Sequence, residues 1–137
     1  MITKGDQMAL YDFGNGSVEA HRHANGGGWV ADTATVADTV YVGSDATVFD
    51  RAVICGNARV YDDAKVSGSA WVCGDAKISG SSQISGSSQI SGDATVFGFA
   101  KISDEAWVYD KAWVYGDAEI SGDAKVSGYA TVYDSAW

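Results

Sequence analysis

The sequence predicts an all-β fold, a parallel β-solenoid preceded by a β-hairpin, and three observations predict it. A branched aliphatic residue recurs at every sixth position from Val30 to Val132 without a gap. A small residue stands two positions before nearly every one of these, and Gly, Asp, Ser or Asn gathers in the two positions that close each repeat. Proline is absent from all 137 residues, as a structure that uses nearly every backbone N–H requires. A period held over a hundred residues is an architecture.

Each repeat reads roughly A-x-V-x-G-D, as in Ala118-Glu119-Ile120-Ser121-Gly122-Asp123. On an extended chain residues two apart point the same way, so the small and the branched residue share a buried face and the two x residues face solvent. The closing pair has turn chemistry, because Gly, Asp and Asn tolerate positive φ or bond their own backbone. The small series runs from Ala34 to Ala130, interrupted by Val40, Ser82 and Ser88, with Gly28 at its start. An α-helix is excluded because a six-residue step drifts around a helix of about 3.6 residues per turn. An ordinary sandwich needs longer strands and wider turn spacing than about four extended residues between bends. Short strands stacked coil on coil satisfy both the spacing and the backbone.

The V-x-G-D-A-x pattern resembles the hexapeptide repeat of left-handed parallel β-helices, over about four fifths of the chain. The resemblance implies three hexapeptides per triangular coil and a left-handed turn. The expected fold is then a single-stranded left-handed parallel β-helix of about six coils, spanning 29–137, behind an N-terminal hairpin cap in 1–28. At roughly 4.8 Å per coil the prism is about 29 Å long. Burying each Val or Ile contributes roughly 1.5 to 3 kcal/mol, enough for one domain. The weakest layer is expected at the repeated Ser81–Gly86 and Ser87–Gly92, where inward Ser82 and Ser88 must find backbone partners.

Ahead of the array, Gln7–Phe13 and Ser17–His23 flank Gly14-Asn15-Gly16, a β-hairpin pattern, and Gly26-Gly27-Gly28 leads into Trp29. This hairpin is expected to cover the first coil, whose strand edges and apolar interior would otherwise meet water. The Gly-Gly-Trp lead also resembles that of bacterial and phage-borne hexapeptide proteins. With 46% apolar residues and no apolar run of membrane-spanning length or signal-like start, the expectation is a cytoplasmic protein with no membrane contact.

Candidate chemistry is sparse. His21 and His23 alternate and are expected on one exposed hairpin face, where two ligands are too few for a zinc site. The acyltransferases and carbonic anhydrases that the fold resembles use histidines on or beside the coils, and the array from Trp29 onward has none. The expectation is therefore no catalytic residue, metal or cofactor; a degraded acyltransferase ranks third among the readings. Cys55 and Cys73, eighteen apart, stack at an outward position. In-register Cβ atoms lie somewhat too far apart for a bridge, so paired free thiols are expected.

The net charge of −9 comes from eighteen acidic and nine basic residues, with most carboxylates at bends. Turn chemistry and solubility account for them; the alternative is an acidic mimic of a nucleic acid, inhibiting a nucleic-acid-handling protein through Asp62, Asp63, Asp104, Glu105, Asp117 and Asp123. Direct nucleic-acid binding is disfavoured by the same charge. Sorting outward residues by an eighteen-residue coil gives a wet face with Thr47, Lys65, Gln83, Lys101 and Glu119, a second with Val53, Trp71, Trp107 and Tyr109, and a third with Tyr41, Tyr61, Phe97, Trp113, Tyr115 and Tyr133. Rings up a ladder stabilise a sheet, and rings this dense also make contact surfaces. The favoured reading is a non-catalytic protein-binding or scaffolding solenoid using Phe97, Trp107, Tyr109, Trp113, Tyr115, Tyr133 and Trp137. A homodimer through the C-terminal coil, where Tyr129 adds a ring, is the expected assembly.

Overall fold

The computed structural model of the chain describes residues 9–12 and 17–132. Strands β1 (Ala9–Asp12) and β2 (Ser17–Arg22) are antiparallel, and β3 (Trp29–Ala31) lies antiparallel to β2 on its other side. Two-residue strands then recur every six residues: β4 (Thr35–Val36), β5 (Tyr41–Val42), β6 (Thr47–Val48), β7 (Val53–Ile54), β8 (Arg59–Val60), β9 (Lys65–Val66), β10 (Trp71–Val72), β11 (Lys77–Ile78), β12 (Gln83–Ile84), β13 (Gln89–Ile90), β14 (Thr95–Val96), β15 (Lys101–Ile102), β16 (Trp107–Val108), β17 (Trp113–Val114), β18 (Glu119–Ile120), β19 (Lys125–Val126) and β20 (Thr131–Val132). No helix occurs among the described residues, hence none long and apolar enough to cross a membrane.

From β3 onward each strand pairs in parallel with the strand three places on, so Val48 lies opposite Val66, Val66 opposite Ile84 and Ile84 opposite Ile102. Three sheets result: β1-β2-β3-β6-β9-β12-β15-β18, then β4 to β19, then β5 to β20 in steps of three. Three strands make one coil, and six coils stack into a solenoid. The ladder uses three amide donors per repeat: Thr47 to Ala64, Phe49 to Val66 and Arg51 to Gly68, at 3.1, 2.9 and 2.9 Å. A proline at any of these would delete a bond that holds one coil to the next.

Strands are this short because the chain bends at a fixed place. Every sixth residue from Asp50 to Gly128 has positive φ, ten of them glycine at 63 to 72° and four aspartate at 57 to 60°. The small residue closes the bend, as where the Ala64 N–H donates to Tyr61 O at 3.3 Å. The bends stack closely: a Cβ on Gly68 would stand 2.8 Å from both the N and the O of Gly86. Where aspartate takes the bend, its carboxylate is used. Asp50, Asp62, Asp104 and Asp110 each accept, through Oδ2, the amide of the glycine one coil on, Gly68, Gly80, Gly122 and Gly128, at 3.0 to 3.1 Å.

The interior follows the six-residue pattern. The inward aliphatics from Val42 to Val114 and the alanines from Ala46 to Ala118 are fully or almost fully buried. Val40, at a small-residue position in the first coil, is also at 0% exposure. Ser82 and Ser88 find the backbone partners they require, donating to Ser79 O and Ser85 O at 2.8 Å each. No buried side-chain N or O among the described residues lacks a partner. In the last coil Ala124 and Ala130 are exposed and Val132 is half-buried.

At the other end the hairpin extends the first sheet, and the segment after it folds under the third. Val42 N donates to Asn25 O at 3.0 Å and Gly28 N to Val42 O at 2.9 Å, so the edge of β5 is paired. The glycine run permits this approach, since a Cβ on Gly26 would meet Val42 O at 2.2 Å. The expected shared exposed face for the two histidines is not what forms. β2 ends at Arg22, and a turn closed by His23 N to Gly28 O at 2.7 Å breaks the alternation. His21 stays exposed with Nδ1 on Asp32 Oδ1 at 2.7 Å, whereas His23 is buried at 5% exposure and donates through Nε2 to Val40 O at 2.7 Å. The turn Gly14-Asn15-Gly16, with Gln7, Met8 and Phe13, lies outside the described residues.

The expectation of free thiols is likewise overturned. Cys55 and Cys73 form a disulfide with a Cα–Cα distance of 4.6 Å. The in-register estimate assumed side chains held perpendicular to a sheet, but Cys55 is the first residue beyond β7 and Cys73 the first beyond β10. At the start of a bend the Cβ directions are no longer fixed by the pleat, and the coil spacing is within disulfide reach.

Candidate functional site

Outward side chains on these sheets are positioned by the inward residue beside them. Trp107 precedes buried Val108 and Tyr109 follows it, so both rings stand on the second sheet's outer side and meet edge to face at 6.2 Å. Lys125, in register with Trp107 one coil on, holds Nζ 5.5 Å over its ring. On the third sheet Phe97 and Tyr115 are eighteen apart and therefore stack, with centroids at 4.8 Å and planes within 6°. Trp113 is in register with Thr95, two residues before Phe97, and meets Phe97 edge to face at 6.0 Å. Trp107 and Trp113 remain 41% and 50% exposed.

The five described residues of the expected partner surface thus form two aromatic groups on adjoining faces, separated by the bend at Asp110. Tyr133 and Trp137, expected to belong to the same surface, lie outside the described residues. Two further rings project from bends: Tyr129, 81% exposed with Lys111 Nζ 5.6 Å over it, and Phe99, 64% exposed. Tyr129 sits between β19 and β20, on the edge between the two faces; it was legible only as a C-terminal ring. Phe99 was missed because sorting by strands counts the residues beside an inward aliphatic and skips the one after the positive-φ position. That skipped position is where a side chain points straight off the prism edge.

The acidic residues do not form one line. Asp62, Asp63 and Asp117 lie on the bends between the third and first sheets, and Asp104, Glu105 and Asp123 on those between the first and second. Along the former edge, Asp63 is followed coil by coil by Ser81, Phe99 and Asp117. Only Glu105 and Asp123 are eighteen apart, and the carboxylates of Asp62 and Asp104 are committed to glycine amides. No group of three or more His, Cys, Asp or Glu able to hold a metal occurs among the described residues.

A second feature was not legible as a site. Over the first coils of the third sheet runs an open groove of about 790 Å³ lined by Asn25, Thr39, Tyr41, Asn57, Arg59 and Tyr61. Tyr41 and Tyr61 were placed on this face by the eighteen-residue count; Asn25 comes from the turn after β2 and joins them only because that turn packs under β5.

The family model described as the YdcK beta solenoid repeat matches residues 52–68, 58–74 and 88–98, the first two matches shifted by one six-residue repeat. The chain is similar to that repeat over those coils. No curated protein and no solved structure matches it significantly.

Proposed function

We propose that this β-solenoid is a non-catalytic recognition scaffold that presents the aromatic surface of its C-terminal coils to a protein partner, the first candidate being a second copy of the chain. The observation that carries the reading is the pair of ring groups on adjoining faces, Trp107 with Tyr109 and Trp113 with Phe97 and Tyr115, with exposed Tyr129 on the edge between them. Each ring but Tyr129 is anchored beside a buried aliphatic, so docking orders little that is not already ordered, and Trp and Tyr supply large contact area at low entropy cost. The scattered and partly committed carboxylates argue against the acidic-mimic alternative. We also read the array as the hexapeptide type, supported by the six-residue step of the strands and of the overlapping matches.

Sedimentation velocity over a concentration series tests the proposal on the intact chain and on a Trp107→Ser, Trp113→Ser variant. Wild-type self-association that is lost in a variant with an unchanged melting temperature supports it. A monomer in both at the highest concentration removes the second copy as partner.

A further inference from the structure

The groove on the third sheet combines features that the aromatic surface lacks. Arg59 is in register with Tyr41 on one side and with Lys77 on the other, so two exposed cations occupy neighbouring positions on one face. Like charges side by side on paired strands repel. Neither Arg59 nor Lys77 makes an ion pair or a side-chain hydrogen bond among the described residues, although the chain carries twice as many acids as bases and Asp75 stands two residues before Lys77. The disulfide joins the two coils concerned, Cys55 four residues before Arg59 and Cys73 four before Lys77. The repulsion is therefore held in place by a covalent link and by the ladder bond from Arg59 N to Ala76 O at 2.9 Å.

Arg59 lines the groove and Lys77 stands beside it one register position on, and the other lining groups suit a hydroxylated ring. Two glycines let the groove's aromatic wall pack close to the backbone: a Cβ on Gly43 would meet Tyr61 Cβ at 3.1 Å and Tyr41 Cε2 at 3.5 Å, and one on Gly26 would meet Tyr41 Cε1 at 3.0 Å. The Tyr41 ring thus stands over two glycines and offers flat apolar surface to the groove. The side-chain amides of Asn25 and Asn57 make no bond among the described residues, and each offers both donors and an acceptor. The Thr39 hydroxyl is already given to Gly56 O and contributes only its position.

We infer that this groove binds an acidic saccharide, with the carboxylate of a uronic acid unit on the Arg59 guanidinium and beside Lys77, the sugar ring against Tyr41 and Tyr61, and its hydroxyls on Asn25 and Asn57. A guanidinium matches a carboxylate in a two-bond fork, and Lys77 adds a second positive charge. An anion there relieves the repulsion between the two cations, which a neutral sugar does not. The site lies at the opposite end of the array from the aromatic surface and stands independently of the role proposed for that surface.

The test is isothermal titration of the full, oxidised chain with an oligogalacturonate, the size-matched neutral oligosaccharide and inorganic phosphate. Saturable binding of the oligogalacturonate is expected, at least tenfold weaker for Arg59→Gln, severalfold weaker for Lys77→Gln and Tyr41→Ser, and unchanged for Trp107→Ser, Trp113→Ser. The neutral oligosaccharide and phosphate are expected at least tenfold weaker on the wild type. Absence of saturable oligogalacturonate binding, or equal binding by an Arg59→Gln variant that melts like the wild type, overturns the inference. Phosphate or the neutral sugar binding as well as the uronate overturns it too, since the site would then read charge alone or ring alone.

Discussion

The carboxylate of Asp62 accepts a hydrogen bond from the amide of Gly80, one coil on, at 3.1 Å, while Asp62 itself occupies the left-handed region at φ 57°. One residue both permits the bend and ties it to the next. Asp62→Ala keeps the Cβ but loses the carboxylate and the local tolerance of positive φ, and is expected to lower stability by roughly 1 to 2 kcal/mol. Asp62→Gly removes the bond but relaxes the backbone and should cost less than the alanine. Chemical denaturation of the three proteins orders them, and alanine as stable as wild type would show that the bond contributes nothing.

Replacing Val66, Ile84 or Val108 with Asp buries a charge between covered coils and is expected to unfold the array. Ile84→Ala should cost roughly 2 to 5 kcal/mol, whereas Lys65→Ala and Ser85→Ala are expected within about 0.5 kcal/mol. Thermal melts followed by circular dichroism separate the groups, and equal tolerance of both would contradict the inward series.

Removing the disulfide closing the eighteen-residue loop between Cys55 and Cys73 is expected to lower stability by roughly 3 kcal/mol in a chain-entropy treatment. The variant is Cys55→Ser, Cys73→Ser, compared with wild type by urea denaturation without reductant. Thiol titration of denatured, unreduced protein should find no free cysteine; two would mean that the coils stack without the bond.

His23→Ala should destabilise the chain by roughly 1 to 3 kcal/mol, because it leaves the Val40 carbonyl unpaired and opens a gap beneath the first coil. His21→Ala removes an exposed contact to Asp32 and should change stability by less than about 1 kcal/mol. Amide exchange at Val42 and Gly28, which pair across that end, should accelerate in the first variant alone.

Most of the solenoid was legible because its core is one-dimensional: a residue's burial depends only on its place in the six, and its face only on its place in the eighteen. That rule puts Phe97 and Tyr115 on one face and Ser82 among the alanines. It failed wherever a second direction mattered. His23 is buried because a turn after β2 breaks the strand alternation and brings its side chain under Val40. The disulfide depends on where a strand stops and a bend starts. Asn25 enters the groove and Phe99 leaves the prism edge for the same reason, that bends and turns aim side chains in directions a strand alternation does not contain.

A chain whose faces are set by counting can exchange its surface without disturbing its interior. Ser81–Gly86 and Ser87–Gly92 are identical in sequence and adjacent. Deleting one copy would leave every later inward residue inward, and Asp104 with Gly122 and Asp110 with Gly128 would still lie one coil apart. Yet everything downstream would rotate by one face: Trp107 would move from the second sheet to the first, and Trp113 from the third to the second, beneath a different set of upstream neighbours. Gain or loss of eighteen residues changes only the length of the rod, and gain or loss of one turns the core inside out. Six is the step at which such a protein can acquire a new exterior while its packing registers no change.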